Sequence, residues 1–213
     1  MKKQQIALLI SAIALSSCTN STKKSKEIIA AQEVEIETQV IPIDTLHSTI
    51  LWKGGNSKES HNGTITLKGG TISVKGDTVT EGKFIIDMTT IENTSITNQK
   101  MRTSLVSHLK SADFFDIQLF PEAFFNITHT HWIDDDKTML YIEGNLEIKG
   151  VSHLIKFLSY ISKEGPNYTA TSDPILIDRT KWGINHGSKS VYKDLKDNLV
   201  NDTVEIQLEI QTL

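Results

Sequence analysis

From about residue 43 onward, apolar side chains recur at every second position, the spacing of strands that are dry on one face and wet on the other. Val204, Ile206, Leu208 and Ile210 alternate strictly with Thr203, Glu205, Gln207 and Glu209. Leu140, Ile142, Leu146 and Ile148 share one face, and Tyr141, Glu143, Asn145 and Glu147 take the other. Gly150 then predicts a turn into a strand carrying Ile155, Phe157, Ser159 and Ile161. Phe84, Ile86 and Met88 form another set. Ile65 and Leu67 alternate with threonines and Ile72 and Val74 resume the pattern, so the intervening Gly69-Gly70 reads as the turn of a hairpin. One stretch departs from period two: Met101, Leu105, His108 or Leu109, and Ala112 are spaced by three and four, which predicts a single short helix with Asn98 as its cap. About eight strands at this spacing make an all-β domain, and the count fits a sandwich and a barrel equally well.

Composition narrows the class. A chain of 213 residues with 38 % hydrophobic and 23 % charged side chains can bury a core, and its length suits one domain. A formal charge of −4 supplies no basic face for phosphates, so no nucleic-acid partner is expected. With Cys18 as the one cysteine, neither an internal disulfide nor a cysteine zinc site can form.

Cys18 has an informative address. Met1-Lys2-Lys3 followed by the mostly apolar Ile6–Leu15 has the make-up of an export signal, at about half the ~20 residues a membrane-spanning helix needs. Leu15-Ser16-Ser17-Cys18 resembles the bacterial lipobox, which implies lipidation of Cys18 after removal of residues 1–17. The remainder carries 20 basic and 26 acidic side chains, a formal −6, and should not cling to anionic headgroups. Residues 18–41 are polar and charged and read as a flexible tether, with a possible short strand where Val34 and Ile36 alternate, and residues 42–213 form the body. Thr19, rather than aspartate, after the cysteine resembles sorting to an outer membrane, so the expected location is the cell envelope, facing the periplasm.

Several strings, in order, resemble one family. They are Asp44-Thr45-Leu46-His47-Ser48 with Trp52, Ser60-His61-Asn62-Gly63-Thr64, and His108-Leu109-Lys110-Ser111-Ala112-Asp113-Phe114-Phe115-Asp116 followed by Phe120-Pro121 and Phe125. Further on come Glu143-Gly144-Asn145-Leu146-Glu147-Ile148-Lys149-Gly150-Val151, Asp178-Arg179-Thr180-Lys181-Trp182-Gly183-Ile184 and Asp194-Leu195-Lys196-Asp197. The sequence is similar to the bacterial YceI-like proteins, a lipocalin-like group that includes polyisoprenoid-binding members, with Phe120 in place of the usual tyrosine. The resemblance implies an extended antiparallel lipocalin-like β-barrel whose lumen holds an amphiphilic lipid such as a polyisoprenoid or quinone.

If the dry faces are the interior, the candidate ligand contacts are Phe84, Ile86 and Met88, then Phe125 and Ile127, then Leu140, Ile142 and Leu146, then Ile155 and Phe157, and finally Ile206 and Leu208. Dry faces that simply pack together, leaving a filled envelope module that binds a protein or serves a stress response, fit the same periodicity. Phe114 and Phe115 suit either part of a binding mouth or a plug that closes the barrel at the helix end. Arg179 next to Asp178 and Trp182 suits either a headgroup clamp or an Arg–Asp pair stacked on Trp182 that fixes its loop. His129-x-His131 places two imidazoles on one strand face, but no third ligand or metal-binding motif accompanies them, and Asp134-Asp135-Asp136 reads as a solvated turn. No metal or cofactor is expected. The absence of a Gly-x-Ser-x-Gly elbow or a free catalytic cysteine argues against an enzyme.

Overall fold

A strand that is apolar on one side needs that side covered, and this chain meets the need by rolling its sheet onto itself. The computed structural model describes residues 36–195 and 199–213. The expected leader, Cys18 and the tether up to residue 35 lie outside the described residues. Ten strands form the sheet: β1 (Thr38–Pro42), β2 (Thr49–Gly55), β3 (Ser60–Lys75), β4 (Thr78–Asn93), β5 (Glu122–Trp132), β6 (Met139–Ile148), β7 (Val151–Glu164), β8 (Asn167–Ser172), β9 (Ile175–Asp178) and β10 (Thr203–Gln211).

Antiparallel pairing runs β3-β2-β10-β8-β7-β6-β5-β4, and β4 pairs back onto β3, so eight strands close a barrel. The other two prolong positions in that circuit. β2 covers β3 from Ser60 to Thr66, and β1 takes over the same edge from Thr71 to Lys75. β8 likewise pairs with the end of β10 and β9 with its beginning. Closure leaves the circuit without a free edge to recruit another chain. The sheet begins at Thr38, within the segment 18–41 expected as tether, because Thr38–Pro42 has the upper half of β3 to pair with.

The expected hairpin at Gly69-Gly70 is absent. β3 runs straight through both glycines, the reversal comes after Lys75, and the register against β4 slips between Leu67 and Gly69. The inward positions change parity there, from Ile65 and Leu67 to Ile72 and Val74. One inserted residue produces that change whether the chain turns or bulges.

The helix α1 (Gln99–Lys110) forms where expected: the Asn98 side chain accepts from the Met101 N–H at 3.1 Å, and Ser111 closes the other end through the His108 carbonyl. Its apolar stripe is shorter than the sequence suggests. Leu105 and Leu109 pack inward, whereas Met101 is 60 % exposed and Ala112 lies exposed beyond the last turn. Among the described residues no helix is long and apolar enough to cross a membrane.

Antiparallel order gathers the β2–β3 hairpin, α1 with its following turn, the β6–β7 turn and the long 179–202 connection at one end of the barrel. The β3–β4, β5–β6 and β7–β8 turns share the other.

Candidate functional site

The barrel is hollow. Its inner faces enclose a cavity of ≈ 770 Å³, within the ~300–1,000 Å³ of small-molecule sites. Larger inward side chains would have removed it. The inward side chains therefore leave a hollow instead of filling the barrel.

What keeps the centre open is the way the large rings lie. Gly144 sits between Ile142 and Leu146 on the inward face of β6, and a Cβ there would fall 2.4 Å from the tip of the Phe125 ring. Phe125 thus lies along the wall across β6 instead of projecting to the axis. It joins Phe84 and Phe157, at centroid distances of 6.1 and 5.8 Å, in a tilted aromatic band.

Every strand residue predicted to face the lumen lines it: Phe84, Ile86 and Met88 from β4, Phe125 and Ile127 from β5, Leu140, Ile142 and Leu146 from β6. Ile155 and Phe157 of β7 and Ile206 and Leu208 of β10 complete the ring. The two ends differ in chemistry. Ile43, Ile72, Val79, Ile161 and Tyr168 close the end at the β3–β4 turn, while Asn56, Glu59, His61, His108, His186 and Asn201 border the other. Phe114 and Phe115, from the turn after α1, also line that polar end, where a mouth or a plug was expected.

Arg179 and Trp182 lie in a short 3-10 helix, Arg179–Trp182, and both are buried against the cavity wall. Arg179 has little left for a ligand. Nε donates to the Asn201 carbonyl at 2.9 Å, one Nη donates to the Val200 carbonyl at 3.0 Å and the other donates to the Ile184 carbonyl. Its carboxylate neighbour is Asp202 at 3.6 Å; Asp178 instead caps the 3-10 helix by accepting from the Thr180 N–H. Nor does the guanidinium stack on Trp182: it lies 6.0 Å from the Phe114 ring centroid, while Trp182 meets His153 edge-on and donates to the Leu146 carbonyl at 3.0 Å. Arg179 thus pins the long connection to the barrel end, the loop-fixing role, with different partners from those adjacent in sequence.

Burial pushes the Arg179 guanidinium below its ordinary value, against the pull of Asp202 and Asp178. Burial also works to raise Asp202, but hydrogen bonds from Ser190 and Ser188 and the charge of Arg179 outweigh it and hold this carboxyl below its usual value.

His129 and His131 share a face of β5 as expected, with ring centroids 5.5 Å apart, but that face is the outside of the barrel. Their acidic neighbour Glu143 is engaged by Lys156 and by the Tyr141 hydroxyl, each at 2.9 Å. Asp134 accepts from the Thr138 and Met139 N–H groups, as a solvated turn requires. The sequence pattern gave no sign of another group, His108, Asp113 and His186, which three separate segments bring together at the polar end.

A closed antiparallel barrel of eight strands with an apolar lumen and a single helix is a lipocalin-like fold. The YceI-like domain model matches residues 42–212, and the chain belongs to that family. Among solved structures it is similar to Burkholderia cenocepacia BcnA, at 17 % identity and a TM-score of 0.63, covering 80 % of this chain and 99 % of that one. A polyisoprenoid-binding domain from Saccharophagus degradans, implicated in plant cell wall breakdown, superposes at 14 % identity and a TM-score of 0.61, over 82 % and 98 % of the two chains. A Campylobacter jejuni YCEI protein follows at 18 % and 0.51, over 69 % and 82 %. At such identities the likeness is one of fold. No curated protein sequence matches the chain significantly.

Removing Arg179 should leave three backbone carbonyls without their donor and Asp202 without its cationic neighbour. Arg179→Met is expected to cost about 3–5 kcal/mol in urea denaturation. A carboxyl depressed in the folded state stabilises above its unfolded pKa and loses that contribution as pH falls through the folded value. Wild-type stability should therefore drop on acidification below the ordinary carboxylate range, and Asp202→Asn should flatten that part of the profile. An Arg179→Met protein as stable as wild type would contradict the assignment.

Proposed function

We propose that this protein is a non-enzymatic binding protein that sequesters or carries an amphiphilic lipid, such as a polyisoprenoid or quinone, in the barrel lumen. The observation that carries the reading is the lumen itself, a mostly apolar hollow of ≈ 770 Å³ whose charged and imidazole side chains, Glu59, His61, His108, Arg179 and His186, all lie at one end. Such polarity suits a guest with a hydrocarbon tail and a polar head: tail toward Tyr168, head at His61, His108 and His186. The polyisoprenoid binding of the similarly folded Saccharophagus domain supports the same class of guest.

Energetics favour exchange over permanent capture. Each methylene moved out of water gains ~0.8 kcal/mol, but a membrane lipid's tail already lies in hydrocarbon, so its transfer into an apolar lumen is near neutral. The preference must then come from the head group and from the shape of the cavity. A guest held this way returns to a bilayer easily, which fits carriage or storage.

The tether belongs to the same proposal. The lipobox-like Leu15-Ser16-Ser17-Cys18 supports an exported lipoprotein held in the cell envelope by acyl chains on Cys18, with the barrel facing the periplasm. Several acyl chains make stable anchoring where one is marginal. Anchoring keeps the barrel near the membrane and makes exchange local.

Organic extraction of the purified protein followed by mass spectrometry should yield a reproducible long-chain lipid. Ala170→Phe, which fills lumen space from β8, should reduce its recovery at least tenfold while the fold persists by circular dichroism. Protein that arrives empty and takes up no lipid from vesicles would overturn the reading. Cys18→Ser should shift the protein from the membrane to the soluble fraction; retention in the membrane would refute the anchor.

A further inference from the structure

We propose that His108, Asp113 and His186 form a binding site for a divalent transition metal at the polar rim of the barrel. Asp113 Oδ2 lies 3.1 Å from His108 Nε2 and 4.0 Å from His186 Nδ1, and the three donor atoms fall within 4.8 Å of one another. A tetrahedral zinc ion with bonds of ~2.0–2.2 Å separates its donors by about 3.3–3.5 Å. The two spacings to Asp113 bracket that value, and the two imidazole donors lie within 4.8 Å of one another, so the three groups are near enough to close on one ion.

The surroundings hold the donors in place. His108 is in the last turn of α1, whose end is fixed by the Ser111 hydroxyl donating to the His108 carbonyl at 2.8 Å. Asp113 follows in the next turn, and His186 arrives from the connection that Arg179 pins. The two imidazoles stand nearly perpendicular, 84° at 4.7 Å between centroids, and both pack on Phe114, at 4.9 and 5.1 Å. Among the described residues the rings' one side-chain hydrogen bond is between His108 Nε2 and Asp113, and His186 Nδ1 stands 4.0 Å from the same oxygen, beyond hydrogen-bond distance. A structural ion pair requires one histidine for one carboxylate. Here two half-exposed imidazoles converge on a single oxygen.

Two imidazoles and one carboxylate are borderline-soft donors that suit zinc, cobalt or iron better than calcium or magnesium, which prefer all-oxygen shells. Three protein ligands also leave at least one position open. Both histidines border the lumen and Asp113 does not, so an ion between them sits at the cavity's edge. His108 and His186 are also the residues placed at the guest's head, so an ion there would meet the head group; the geometry of the three donors stands without the lipid reading, and a metal titration of lipid-free protein reads it separately.

The test is a titration of the full-length, metal-stripped, lipid-free protein with Co²⁺, followed by its visible absorption, and with Zn²⁺, followed by calorimetry. One equivalent of each should bind, with cobalt bands typical of low coordination number. His108→Ala, His186→Ala and the isosteric Asp113→Asn should each weaken binding at least tenfold, with unchanged circular dichroism. A His129→Ala/His131→Ala double variant should bind as wild type. Binding absent from wild type, retained in Asp113→Asn and both single-alanine variants, or lost only in the double variant, would overturn the site. If an alanine variant unfolds, Asp113→Asn decides alone, since its side chain is 60 % exposed and carries no core packing.

Discussion

Closing β4 back onto β3 obliges the inner face of eight strands to look at itself across the barrel axis, and in this chain the side chains on that face leave a cavity of ≈ 770 Å³ between them. The hollow that results is apolar, and water gains little by entering it because it finds almost nothing to hydrogen-bond. Other features follow from keeping that space open at tolerable cost. Phe125 lies across Gly144, the aromatic band follows the wall, and the charged and imidazole groups are kept to the rim at one end.

That rim is where irregular chain has to be held. The 179–202 connection is long and must lie against an apolar opening without the ladder of a sheet to satisfy its carbonyls. Arg179 supplies the missing donors to three of them from a buried position, and Asp202, fixed by Ser190, balances the charge. The same scaffold delivers His186 to His108 and Asp113, so loop order and rim chemistry depend on one guanidinium.

The strands were legible because a one-sided environment writes itself at period two: the inward residues of β6, β7 and β10 are those the alternation marks. The β3 bulge was not, since a parity change records an extra residue without saying whether the chain reverses there. Arg179 showed a similar limit. Adjacency suggested Asp178 and Trp182, whereas an arginine reaches several ångströms and found Asp202, Phe114 and three carbonyls instead. The rim triad was invisible for a related reason: its ligands come from a helix, a turn and a distant connection, and only closure of the barrel makes them neighbours. Hollowness itself leaves no mark in periodicity, because filled and empty barrels share the same dry faces. The family strings carried that part.

The most direct measurement is diffraction from crystals of the protein as purified, at a resolution that shows the barrel interior. The account predicts continuous elongated density along the axis, passing the Phe84, Phe125 and Phe157 band with its bulkier end near His108. Those rings turned inward so that they fill the axis, with no space for a guest, would contradict it.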